Sequence, residues 1–356
     1  MPAKKVMIAM SGGVDSSLSA YLLKQQGYDV VGATMCLGIT AMASKKTLCC
    51  SKDAIGDARN VCDRLEIPHY VFDYVDEMHK NVVDNFVDAY EHGRTPNPCV
   101  ECNRHLKFDL LLNKARVLGF DYLATGHYAQ LIDEAGTIRM CRPADREKDQ
   151  TYFLYCLRKE VLNSVLFPLG GHTKEEVRLL ADSINLPVAQ KPESQDICFV
   201  ADGNYKEFIR SRGIAGKSGK IKDLGGNVLG EHEGITNYTV GQRKGLGVAA
   251  GRPLYVVEID AQRDTVIVGD ERDLFARGLI ARKVNMLYDT IPQNVGCVIR
   301  YSNLPVRCRA AFDGESLEVT FDEPLKAVAP GQSVVLYHGD NVVGGGIIEQ
   351  AILSEK

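Results

Sequence analysis

The sequence predicts an α/β domain built on a parallel sheet, then a small β-rich central domain, then a C-terminal β-barrel. Three observations predict it. First, the apolar run Val6-Met7-Ile8-Ala9-Met10 ends in Ser11-Gly12-Gly13-Val14-Asp15-Ser16-Ser17 and passes into Leu18-Ser19-Ala20-Tyr21-Leu22-Leu23-Lys24. That is a buried strand, a glycine-rich turn and an amphipathic helix. Second, strand-like and helical stretches alternate as far as residue 202, the pattern of parallel βαβ units. Third, short glycine-bounded segments follow, and from about Leu274 alternating strands with tight turns dominate, the pattern of a small closed barrel. The expected domains are 1–202, 203–273 and 274–356.

The first turn is the sharpest signal. Its glycines let backbone approach an anion closely, and the first amides of the helix point at that anion with the helix dipole behind them. Ser11, Ser16 and Ser17 add hydroxyl donors. Asp15 would repel a phosphate and could reach one only through a magnesium ion. The turn has no Gly-Lys-Ser/Thr and no G-x-G-x-x-G, which excludes the common ATPase and dinucleotide loops.

With 356 residues, 45% apolar and 25% charged, the chain is long enough for two or three domains with ample core. A net charge of −4 means that a nucleic acid would have to find local basic patches. No apolar run is long enough to span a bilayer, and the start runs directly into the first strand, so neither a membrane nor a signal peptide is expected. Eleven cysteines, odd in number and irregular in spacing, are expected to be reduced thiols in the cytoplasm.

Along the chain, Gly27 ends the first helix and Asp29–Leu37 reads as a second buried strand, placing Met35 on the same sheet edge as the turn after Met10. Thr40–Ser51 reads as a loop ending in Cys49-Cys50, Ala54–Leu65 as a helix, and Tyr70–Asp73 as a strand. After a helix near Val82–Tyr90, Thr95-Pro96-Asn97-Pro98 fixes a rigid turn that presents Cys99-Val100-Glu101-Cys102. A lone C-x-x-C serves a redox pair, half a zinc site or an iron–sulfur ligand set. Asp121–Tyr128 reads as a further strand, with Gly126 admitting a nucleotide and His127 either a substrate contact or a hydrogen-bonded structural histidine. Arg139, Arg142, Arg146 and Lys148 lie near Asp149-Gln150, and Thr173 to Glu176 has capping-box spacing. Cys198 follows a polar turn within Lys191–Phe199, and Thr236–Gly247 forms a basic glycine-rich loop.

Residues Ser11–Ser17 after a strand resemble the PP-loop of the N-type ATP pyrophosphatases. The resemblance implies ATP cleaved between its α and β phosphates, with AMP passed to a substrate oxygen. Taken with Thr95–Asn103, Thr125–Tyr128, Asp149-Gln150, Gln195–Phe199, Gly241–Gly245 and Pro330-Gly331-Gln332 in that order, the chain resembles the bacterial tRNA-specific 2-thiouridylase family over almost its whole length. That resemblance implies adenylation of the C2 oxygen of the wobble uridine in the tRNAs for Lys, Glu and Gln. Sulfur from a cysteine persulfide then gives 2-thiouridine, AMP and pyrophosphate. It implies ATP with Mg²⁺ at Ala9, Met10, Ser11, Gly12, Gly13, Val14, Asp15, Ser16, Met35 and Gly126. Cys198 matches the persulfide carrier, and Cys102 the nucleophile that closes a disulfide with it. Asn97, Pro98 and Cys99 would face the target base. His127, Lys148, Asp149, Gln150, Arg300, Tyr301 and Gln332 would touch tRNA. The implied partners are tRNA and an upstream sulfur-donor or relay protein, for a monomer in the cytoplasm.

Many members carry aspartate where this chain has Cys99. Cys99, Cys102 and Cys198 together would supply three ligands of a 4Fe–4S cluster with one iron open for sulfur, an alternative route to the same product. A different PP-loop ligase that adenylates a carboxylate would explain the first domain but neither Cys102 and Cys198 nor the barrel. A non-catalytic RNA- or metal-binding protein would leave the Ser11–Ser17 loop without a purpose.

Overall fold

The computed structural model describes residues 2–38, 52–193, 196–200, 203–214, 216–248, 251–301 and 304–354. Cys49, Cys50 and Gln195 lie outside the described residues. The chain divides into two compact units, Met1–Val82 with Cys99–Gly203 and Asp340–Val342, and Val83–Pro98 with Asn204–Gly339 and Val343–Lys356.

The first unit opens with β1 (Lys5–Ala9), α1 (Val14–Gln25), β2 (Asp29–Cys36), α2 (Lys52–Arg64), β3 (His69–Asp73) and α3 (Val75–Met78). The chain then enters the second unit for α4 (Asp84–Glu91) and returns through one long helix. That helix comprises α5 (Pro98–Glu101), a π-helical stretch Cys102–Leu111, and α6 (Leu112–Val117). There follow β4 (Tyr122–Ala124), the hairpin β5 (Gln130–Glu134) and β6 (Thr137–Cys141), α7 (Thr151–Leu154), β7 (Val165–Leu166) and α8 (Lys174–Ser183). Among the described residues the main sheet is parallel, in the order β3-β2-β1-β4-β7. The strand order reverses at β1 and β4, and ligands bind at the carboxyl ends of strands flanking such a reversal. Strand β1 is central because Val6, Met7 and Ile8 are all fully buried, which requires cover on both faces. Burying each contributes about 1.5–3 kcal/mol. The helical cover over Val6 and Ile8 includes Leu18 and Leu23 of α1, Ala58 and Val61 of α2, and Val177 and Ala181 of α8. Gly27 takes φ +84° just past the end of α1, and the capping box of α8 forms with Thr173 and Glu176.

The second unit adds α9 (Tyr205–Ser211), β8 (Gly219–Asp223), β9 (Val228–His232), β10 (Tyr255–Asp260) and β11 (Thr265–Gly269). These strands form a sheet in the order β10-β11-β8-β9 around Ile221, Val256, Val266 and Val268. The remaining strands are β12 (Phe275–Met286), β13 (Val295–Val298), β14 (Val306–Phe312), β15 (Leu317–Lys326), β16 (Ser333–His338) and β17 (Asn341–Leu353). They run in the order β12-β15-β14-β13-β16-β17, and β12 pairs with β17 to close the barrel. Closure removes the exposed edges. The predicted α/β, β-rich and barrel architecture is the one observed.

Several local expectations are corrected. The C-x-x-C is helical rather than displayed on the turn. Pro98 occupies the first helical position, where its fixed φ and missing amide hydrogen fit. The barrel strand Val295–Val298 stops short of Arg300, which donates from its guanidinium to the Ala327 carbonyl at 2.7 Å. The β5–β6 hairpin and helix α9 were not predicted.

Candidate active site

The turn between β1 and α1 is shaped by its own backbone. Gly12 takes φ +71°, and a Cβ there would lie 2.3 Å from the Ala54 carbonyl oxygen. Gly13 caps α1 without a side-chain hydrogen bond, so nothing from a cap occupies the first-turn amides. Ser16 and Ser17 turn back instead, donating to the Gly13 carbonyl at 3.2 and 2.8 Å. Ser17 is fully buried, so it braces the loop rather than donating to a ligand. Ser11, which is exposed, receives Ser16 as a hydrogen-bond acceptor for its amide and lies 3.3 Å from that hydroxyl through its own.

Gly126 follows β4, the neighbour of β1 at the strand-order reversal. A Cβ there would lie 2.7 Å from the Ser16 amide nitrogen and 2.8 Å from the Asp15 carbonyl carbon. Gly12 and Gly126 thus let the backbone of Ala54 and of Asp15–Ser16 pack tightly around the turn, and the uncapped helix N-terminus they frame offers a cradle of backbone amides whose chemistry fits the phosphates of ATP. Met10 is buried at the end of β1, its carbonyl accepting from the Thr34 hydroxyl at 3.0 Å. Met35, also buried, lies two residues beyond Ala33, the partner of Ala9 in the ladder. Ala9, Met10, Val14 and Met35 thus share the carboxyl edge of the sheet with the turn.

Around this cradle lies a charge network the sequence reading missed. Asp15 accepts from the Lys174 ammonium at 2.7 and 2.9 Å and from the Tyr128 hydroxyl at 2.9 Å. Lys174 also pairs with Glu193 at 3.1 Å, and Glu193 with Lys148 at 2.8 Å. Burial opposes the Glu193 charge, but hydrogen bonds from Lys148 and Lys174 outweigh it and pull its pKa down to about 2. Lys191 donates to the Gly12 carbonyl at 2.9 Å and to Asp57 at 2.6 Å. Burial and the Asp15 carboxylate push the Tyr128 hydroxyl well above its ordinary range, so it remains a donor. The sequence signal for these residues is a charged group on the core face of an amphipathic helix, as with Lys174, in register with the buried Val177 and Ala181 of α8.

Of the residues expected to touch tRNA, those in the first unit are largely engaged within it. The Asp149 carboxylate accepts from Arg142 at 2.5 Å and from the Thr151 amide at 2.9 Å. Gln150 exchanges two hydrogen bonds with the Tyr128 backbone, at 2.9 and 3.1 Å, and so helps hold the tyrosine that binds Asp15. His127 lies 2.7 Å from the Thr125 hydroxyl and packs edge-on to Phe167. Burial, with the Lys107 ammonium behind it, holds His127 well below its usual pKa, hence neutral. In the second unit, Asn97 and Pro98 end the Val83–Pro98 segment. Arg300 lies beside Gly241, whose Cβ would be 3.5 Å from the guanidinium. Tyr301 is exposed, and Gln332 donates to the Thr95 carbonyl at 3.0 Å.

Cys102 is buried at the start of the π-helical stretch, Cys99 is exposed one turn earlier, and Cys198 is half-buried. The turn Ile197–Val200 that carries Cys198 is closed by a Val200 amide to Ile197 carbonyl bond of 3.0 Å. A π-helical insertion shifts the side-chain register and often marks a functional site. Among the described residues, no three or more His, Cys, Asp or Glu side chains are gathered as metal ligands.

A cradle of backbone amides at the reversal of a parallel sheet, with cysteines in the same unit, is the architecture of an α/β nucleotide-binding domain, here followed by two β domains. The tRNA methyl transferase HUP domain family matches residues 4–202, the tRNA methyl transferase PRC-barrel domain 206–270, and the aminomethyltransferase beta-barrel domain 276–348. The chain is 49% identical to tRNA-specific 2-thiouridylase MnmA 1 of Syntrophus aciditrophicus, over 98% of this chain and 94% of that one. It is 49% identical to the tRNA-specific 2-thiouridylase MnmA of Geobacter metallireducens over 98% of each. To that of Geotalea uraniireducens it is 50% identical, over 98% of this chain and 96% of that one. The chain belongs to the tRNA-specific 2-thiouridylase family.

Proposed function

We propose that the chain is a tRNA uridine 2-sulfurtransferase that uses ATP. The observation that carries the reading is the placement of the glycine cradle and both Cys102 and Cys198 in one compact unit, within a chain of this family. The backbone amides of α1, with Gly12, Gly13 and Gly126 around them, hold the phosphates of ATP with its Mg²⁺, and Met35 lies against the adenine. AMP is transferred to the C2 oxygen of the wobble uridine, with pyrophosphate released. A flipped-out uridine is required, because C2 is inaccessible in a stack.

The terminal sulfur of a Cys198 persulfide attacks C2, and AMP leaves with the oxygen. The Cys102 thiolate then attacks the Cys198 sulfur, breaking the S–S bond to the transferred sulfur. This leaves 2-thiouridine on the tRNA and a Cys102–Cys198 disulfide, which a cellular dithiol reduces for the next cycle. Cys99 is an auxiliary residue one turn from the nucleophile, in the position where many members carry aspartate. Asn97 and Pro98 face the target base, and Arg300, Tyr301 and the half-exposed Lys148 grip tRNA. The substrates are the tRNAs for Lys, Glu and Gln, and a sulfur-relay protein loads Cys198. The enzyme works as a monomer in the cytoplasm, with domains 1–202, 203–273 and 274–356.

The test is a thiolation assay with wobble-uridine tRNA, ATP and a persulfide donor. The expected result is AMP release that depends on tRNA, with thiolation lowered about a thousandfold or more in Cys198→Ala and in Cys102→Ala, as when any covalent catalyst loses its nucleophile. AMP release driven by ammonia or an amino acid instead would point to the ligase reading. Iron and acid-labile sulfide in anaerobically purified protein, with activity lost in Cys99→Ala, would return the cluster route.

A further inference from the structure

The Val83–Pro98 segment leaves the α/β unit in sequence yet belongs to the β-rich one. Its helix α4 stacks Tyr90 on Tyr205 of α9, with ring centroids 4.7 Å apart, and places Phe86 6.2 Å from Phe208. Beyond α4, Thr95 is gripped on both backbone sides. Its amide donates to the Pro330 carbonyl at 2.8 Å, and its carbonyl accepts from the Gln332 side chain at 3.0 Å. Between those two barrel residues, Gly331 takes φ +93°, and a Cβ on it would lie 2.8 Å from the Thr95 nitrogen and 2.9 Å from its oxygen. The barrel side is itself fixed. The Gly331 amide donates to Ile348 of β17 at 2.8 Å, and the Ile348 amide donates back to Gln332 at 2.7 Å.

We propose that Gln332 and Gly331 are positioning residues, which clasp Thr95 and thereby set the loop that carries Asn97 to the target base. This goes beyond a tRNA contact for Gln332, whose amide nitrogen is committed to Thr95. It rests on the thiouridylase reading only for its consequence, not for the clasp itself. The clasp ties the base-facing loop to the domain that bears Arg300 and Tyr301, so the grip on tRNA and the placement of its wobble base share one rigid support.

The test uses the full-length protein without tRNA, with hydrogen exchange followed at the Thr95 amide. Gln332→Met keeps the side-chain length and removes the donor. Losing one net hydrogen bond of ordinary strength corresponds to about a tenfold faster local opening. The expected result is exchange at Thr95 about tenfold faster in Gln332→Met, and kcat for thiolation reduced about tenfold with tRNA affinity within about threefold of wild type. Gly331→Ala, whose methyl would meet Thr95, gives the same pattern if it folds, and Gln332→Met decides if it does not. Unchanged exchange at Thr95, or a loss of tRNA affinity that accounts for the whole loss of activity, overturns the proposal. Exchange is read without tRNA or ATP, so a wild-type protein that failed to thiolate tRNA would sink the functional reading and leave this one standing on its own measurement.

Discussion

The two units solve the problem of placing a reactive group in different ways. In the first, position comes from backbone. The cradle consists of amides at the start of α1, framed by glycines that let neighbouring backbone pack closely, and the charges around it are neutralised in a connected network. In the second, position comes from packing between segments far apart in sequence. The loop carrying Asn97 is held by aromatic stacking at α4 and by a clasp to a barrel turn more than two hundred residues away. A backbone cradle tolerates changes in the side chains that surround it, whereas a packed support transmits a change from wherever it is made.

Phe86→Ala would sharpen this contrast most. Phe86 is 1% exposed on α4, and its truncation is expected to cost about 3–5 kcal/mol. Thermal unfolding would show it, with thiolation falling while ATP affinity in the folded protein is retained. Loss of ATP binding in protein that remains folded would break the comparison, because it would mean the packed support also shapes the cradle.

Gly126→Ala is the complementary change. The added methyl is expected to cost about 1–3 kcal/mol through overpacking against the start of α1. Expressed at the site, that is roughly a 10–100-fold loss of ATP affinity, measured by equilibrium dialysis with labelled ATP, with tRNA affinity unchanged. Unchanged ATP affinity would place the nucleotide away from the β1–β4 edge.

The smallest expected effect concerns acid. Glu193 is held near pKa 2, below an ordinary value of 4.5. It binds its proton less readily in the folded chain than in the unfolded one, so its contribution to stability is fully present above about pH 4.5 and is lost as pH falls toward 2. Thermal melts of Glu193→Gln across that range are expected to show a flatter decline than wild type. An identical acid limb would mean the Lys148 and Lys174 contacts carry no net stability.

The sequence alone determined what depends on neighbours along the chain. The strand–turn–helix around Ser11–Ser17 was legible because a glycine turn at the end of a buried strand has few alternatives. The capping box at Thr173 and Glu176 was legible because its two hydrogen bonds span one turn. The succession of α/β, β-rich and barrel regions followed from hydrophobic period and turn residues. The tertiary structure alone decided which groups meet across long separations. It spent Asp15 on Lys174, turned Asp149 and Gln150 inward to Arg142 and Tyr128, and bound Thr95 to Gln332. It also made Cys99 and Cys102 helical, because Pro98 starts a helix as readily as it stiffens a turn. Such partnerships depend on where a charge or a carbonyl finds relief from burial, and that is set by the packed fold rather than by local residue preference.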